Sequence, residues 1–131
     1  TIAYKGSGSY RLSPHAAVSP SVHEAWERLT TSDHLWVHVS CAVYLPSNAT
    51  TNKVALVTAF HHNGFEYWTK AVYADPTKRD ADGWARIAYW YLTPEVRRPT
   101  DELVVYARLT DGSPTFVDEI EVALYEPIRR N

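Results

Sequence analysis

Five tryptophans and nine tyrosines stand in a chain of 131 residues that has no methionine. The chemistry open to them depends on their company. Trp36, Tyr44, Trp68 and Tyr106 fall on strand faces opposite the expected core. Trp90 joins them if Ile87, Tyr89 and Tyr91 point inward. The same faces carry the small residues Ser40, Ala42, Ala55, Ala59 and Ala88, and the polar residues His38, His61, Glu66, Lys70, Arg86 and Arg108. Small floors and aromatic walls make a groove. Rigid rings beside a few hydrogen-bonding groups suit a ligand with apolar C–H patches and a rim of hydroxyls, as in a sugar. Aromatics also fill strands for packing alone. The alternative is therefore that loops, the segment 21–29 or a neighbouring domain cover these rings.

A second signal is a carboxylate. From Phe116 to Leu124 the alternation places Phe116, Ile120, Val122 and Leu124 on one face, and Asp118 falls on that face too. A carboxylate pointing into a core is costly unless a cation or several donors meet it. Backbone amides, an arginine or a metal would answer that need.

Other constellations are negative. His61 and His62 are adjacent, so on a strand they point opposite ways. No Cys/His spacing completes a zinc site. The chain has no nucleophile elbow, phosphate-cradling glycine loop or zincin motif. Pairing Glu66 with Glu24 or Glu27 for glycoside hydrolysis has no support from spacing. These absences favour a domain that is not an enzyme. They leave open a small β-sandwich enzyme acting on polysaccharide, built from His, Tyr, Arg and Lys in one cleft. Asn48-Ala49-Thr50 matches the short N-glycosylation pattern.

Bulk properties narrow the partners. The net charge of −2 lacks the basic stripe of a nucleic-acid-binding surface. No apolar run reaches the length of a membrane-spanning helix. One cysteine, Cys41, excludes an internal disulfide, and its strand phase makes it a core residue. The length suits one domain, residues 1–131. A start at Thr1 fits a processed protein or a domain excised from a larger one.

The elements that must position these residues are mostly strands. His34 to Leu45 alternates for about a dozen residues. Lys53 to Tyr73 reads as a hairpin around Asn63-Gly64, a type I′ turn signal. A two-residue turn there sets Phe60 against Tyr67 and Leu56 against Ala71. Val54, Leu56, Thr58, Phe60, Phe65, Tyr67, Ala71 and Tyr73 then share the core face. Trp84–Leu92, 101–109 and 115–125 are further strands. Ser9–Leu12 forms a short one. Ser21–Leu29 mixes a capping-box pattern with helical spacing, and the all-β context argues for strand. Seven or eight strands with almost no helix imply an all-β antiparallel sandwich, of which the jelly roll is one version and the immunoglobulin-like sandwich another.

Several of these segments together resemble a family. Gly83-Trp84 opens a strand, Tyr91-Leu92-Thr93-Pro94 closes it, Leu103-Val104-Val105-Tyr106 follows, and Phe116-Val117-Asp118-Glu119-Ile120 comes last. Gly6-Ser7-Gly8-Ser9-Tyr10-Arg11-Leu12 precedes an early strand. The pattern resembles the carbohydrate-binding jelly-roll modules attached to bacterial polysaccharide-degrading enzymes, within the galactose-binding-like sandwiches. The resemblance implies a secreted or cell-surface accessory domain, linked to other domains, that binds polysaccharide or oligosaccharide without catalysis. It implies a core position for Trp84. It also implies a structural calcium held by Asp118 and by carbonyls near the glycine-serine segment. Such modules carry a strand before that segment, and here too little chain precedes it, which puts both the strand and the calcium in question. The expected binding residues are Trp36, His38, His61, Glu66, Trp68, Arg86, Trp90, Tyr106 and Arg108. The competing expectation is a structural or interaction domain of a larger secreted or surface protein, with the aromatic face covered by a partner.

Overall fold

Val37, Val39, Cys41 and Val43 are fully buried, while Trp36, His38, Ala42 and Tyr44 between them point the other way. This period-two pattern repeats through the computed structural model, which describes residues 2–5, 9–45, 53–96, 98–112 and 114–126. Gly6 to Gly8 and Asn48-Ala49-Thr50 lie outside the described residues. The strands are β1 (Ile2–Lys5), β2 (Ser9–Leu12), β3 (Val22–Ala25), β4 (Trp36–Tyr44), β5 (Lys53–His62), β6 (Phe65–Tyr73), β7 (Trp84–Leu92), β8 (Glu102–Asp111) and β9 (Thr115–Tyr125).

Every pairing is antiparallel. One sheet runs β9–β4–β7, with β1 and β2 both pairing along the free side of β9. The other runs β3–β8–β5–β6. From β2 to β9 the chain switches sheet at every connection except the β5–β6 hairpin. This is jelly-roll connectivity, and it bears out the expected sandwich. The core lies between the sheets, with Val37, Val39 and Ile87 from one layer meeting Leu56, Phe60 and Val105 from the other.

Several expectations need correction. A strand does precede the glycine-serine segment, because β1 pairs with β9 from Ile2↔Leu124 to Lys5↔Glu121. Segment 21–29 is neither all strand nor a capped helix. It is β3 followed by one helical turn, α1 (Trp26–Leu29), whose N-cap is Ala25 with no capping side chain. The Asn63-Gly64 turn forms as expected, with φ of 49° and 81° and His62 opposite Phe65.

Two bulges defeat simple alternation. In β6 the register slips between Thr58 and Phe60 of its partner, and Trp68 sits at φ 52°. Beyond it Val72, not Ala71, faces Leu56, and Ala71 and Tyr73 turn outward. Phe65, at the hairpin tip, is exposed rather than core. In β9 the slip lies opposite Ser40–Ala42, with Glu119 at φ 55°. Val117 is buried before it, Ile120, Val122 and Leu124 after it. An extra residue moves the inward set by one place. Phe116 and Asp118 therefore face outward.

Candidate functional site

At one edge of the sandwich β6 lies beside β7, and the two strands belong to different sheets. They are joined by side chains. Tyr91 Oη donates to the carbonyl of Trp68 at 2.6 Å, and Tyr89 Oη shares its one proton between the carbonyls of Leu56 at 2.8 Å and Lys70 at 3.2 Å. Both tyrosines point inward from β7, where burial pushes their hydroxyl pKa upward and keeps them neutral donors. In return Lys70 Nζ donates to the carbonyl of Trp90 at 2.9 Å, and Trp68 Nε1 to that of Leu92 at 3.3 Å. The β6 bulge thus hangs Trp68 over the outer rim of β7.

The result is a cleft of about 480 Å³ lined by Trp36, Trp68, Thr69, Lys70, Trp90, Tyr91 and Leu92. Trp36 and Trp90 are neighbours across the β4–β7 ladder, with ring centroids 6.4 Å apart at 85°. His38 stands 4.8 Å from the Trp90 ring, and Tyr125 of β9 stands 5.2 Å from it. Exposure is 44% for Trp36, 47% for Trp90 and 62% for Trp68, so all three rings offer a face to solvent. Trp68 is a bulky residue in the left-handed region, where L-residues lose roughly 1–2 kcal/mol. A strained bulge that aims an aromatic ring into a cleft is a recurrent device at binding sites.

The nine residues expected to bind do not share one groove. Trp36, His38, Arg86 and Trp90 lie on the outer face of the β9–β4–β7 sheet, and Trp68 reaches them over the edge. His61, Glu66, Tyr106 and Arg108 lie on the outer face of the other sheet, across the molecule. There Glu66 is fully engaged. Its Oε2 accepts from Tyr106 Oη at 2.9 Å and meets His61 Nε2 at 3.2 Å, while Oε1 accepts from Thr69 Oγ1 at 3.1 Å. Burial would raise this carboxyl, but the bonds from Tyr106, His61 and Thr69 outweigh it and hold it below its ordinary value. The small floor on that face, Ala55, Val57 and Ala59, is fully buried, and Arg108 Nε is buried without a partner among the described residues.

Trp84 is not in the core. Ala85, Ile87, Tyr89 and Tyr91 point inward, so Trp84 shares the outward parity of Trp90 and is half-buried against Tyr44, with centroids 5.6 Å apart. That parity was readable in the sequence. Tyr125 was readable too, one place beyond the inward Leu124. The bulge that brings Trp68 across had no sequence signal, since the usual marker is glycine.

Asp118 is half-buried on the outer face, and its Oδ1 accepts the backbone N–H of Glu119 at 2.8 Å. It needs no buried cation. Its register partner is Ser9, next to the glycine-serine segment. Calcium takes six to eight oxygens. Among the described residues no group of three or more His, Cys, Asp or Glu gathers to hold a metal.

No protein-family model matches the chain, and a search of curated proteins finds no match.

Proposed function

We propose that this jelly-roll domain is a non-catalytic carbohydrate-binding module. Convergence of Trp36, Trp68 and Trp90, from three strands and both sheets, on one open cleft carries the reading. Sugar rings would stack their C–H faces on these rings. His38, beside the Trp90 ring, and the Lys70 ammonium at the cleft are hydrogen-bonding groups for hydroxyls. Binding of this kind concentrates a linked enzyme on its substrate. A secreted or cell-surface location, with other domains attached, belongs to the same proposal.

Affinity electrophoresis through gels containing neutral and acidic polysaccharides tests it. At least one glycan retards the protein, and Trp90→Ala or Trp68→Ala weakens that retardation roughly tenfold, the loss of one stacking partner. A folded protein that no glycan retards sinks the reading. The contiguous exposed rings of Trp36, Trp90 and Tyr125 favour one alternative, an interface for another protein. Sedimentation separates the two, because a stable dimer dispersed by Trp36→Ala supports the interface.

A further inference from the structure

The outer face of the β9–β4–β7 sheet carries a second aromatic group at its other end. Tyr44, Trp84 and Phe116 come from β4, β7 and β9, with Tyr44 5.6 Å from Trp84 and 6.5 Å from Phe116. Phe116 is 42% exposed. Gly83 lets the Tyr44 ring lie close, because a Cβ there would stand 2.8 Å from Tyr44 Cε2. Tyr44 also borders a separate cleft of about 290 Å³. In the ladder Trp36 pairs with Leu92 and Tyr125, and Tyr44 pairs with Trp84 and Phe116. Between these rows the outward residues include Ala42, Ala88 and Ala123, which leave a shallow path along the strands.

We infer that one linear, neutral glycan chain lies along β4 and β7 and stacks on both aromatic groups. The inference rests on the carbohydrate reading. Eight residues of β4 separate the two rows, a span of ~26 Å at ordinary strand rise, or roughly five to six pyranose rings end to end. A single sugar or a branched tip would use one group only. Charge selects against an acidic polymer. Arg11 and Arg86 share this face with Asp118, Glu119 and Glu121, and Arg86 Nη1 lies 3.9 Å from Glu119. With Lys70 at the cleft the two signs cancel among the described residues, so these form no basic track for uronates or sulfates. Arg86, in the middle of the path, is exposed and donates to the buried Ser40 hydroxyl at 3.4 Å, and its remaining N–H groups are placed to hydrogen-bond hydroxyls of the central rings.

Isothermal titration with cello-, manno- and xylo-oligosaccharides of two to eight units tests this. In the series that binds, affinity climbs with length and levels off near six units, with the hexamer at least about tenfold tighter than the trimer. Phe116→Ala brings that hexamer-to-trimer ratio close to one. Ala88→Arg does the same by obstruction, and it removes no packing, so a folding defect does not imitate it. Equal affinity for trimer and hexamer overturns the inference and leaves the carbohydrate reading in place. Binding confined to acidic glycans overturns the neutral chain alone. Failure of every glycan removes both.

Discussion

Asp101 is the most buried carboxylate among the described residues, with 5% of its side chain exposed. It accepts from His62 Nδ1 at 2.7 Å and from Tyr67 Oη at 2.6 Å, and its backbone carbonyl accepts from Trp26 N at 2.8 Å. These bonds tie the β5–β6 hairpin to the turn before β8. Burial pushes the carboxyl upward, but hydrogen bonds from Tyr67 and His62, with the charges of His62 and Arg98, hold it below its ordinary value. A folded value below the unfolded one gives stability that is complete above roughly pH 4 and is lost as pH falls through the folded value. Urea melts between pH 6 and pH 2 therefore show an acid-labile component. Asp101→Asn removes that component and costs roughly 1–3 kcal/mol at neutral pH. Equal slopes for the two proteins below pH 4 would remove Asp101 from the account. The buried carboxylate expected from alternation was Asp118. The residue that holds this role lies in a turn, where period-two patterning says nothing.

At the scale of elements, two bulges do most of the positioning. In β9 the extra residue allows Val117 and Ile120 both to point inward, so the strand meets the core along its whole length. In β6 it carries Trp68 to the cleft. Both use non-glycine residues at positive φ, Glu119 at 55° and Trp68 at 52°. Relief of that strain is measurable. Glu119→Gly raises the melting temperature by roughly 3–5 °C, the value of about 1 kcal/mol in a domain of this size. Trp68→Gly raises stability similarly yet weakens glycan binding at least about tenfold, so stability and affinity move in opposite directions. A fall in melting temperature for both variants would mean that neither backbone is strained. The existence of β2 and of β4 to β9, with most of their boundaries, was legible in the sequence, and so was the Asn63-Gly64 turn, whereas β1 was missed and β3 was read only within an ambiguous segment. The phase beyond each bulge was not, because an inserted residue leaves no mark when it is not glycine.

On the scale of the whole molecule, Cys41 reports on the closed sandwich. It lies in the centre of β4 with no exposed surface, and burial pushes its thiol up to about 12. A thiol reagent labels it only when the sheets separate, so labelling in increasing urea tracks global unfolding. Fast labelling of the native protein would show that the sheets part locally. The sequence by itself determined the all-β class, the inward valines of β4 and the outward set of Trp36, Trp68 and Trp90. These follow from period two, which depends only on neighbours along a strand. Tertiary structure decided which outward residues meet. Jelly-roll connectivity puts β4 and β7 in one sheet and β5, β6 and β8 in the other. That choice sent His61, Glu66, Tyr106 and Arg108 to the far side of the molecule. It also set β6 beside β7, so that Trp68 could cross the edge. Asp118 went the same way: alternation in phase with Ile120 and Val122 pointed it inward, and one bulged residue between them put it on the outer face, because strand residues share a face only while no extra residue lies between them.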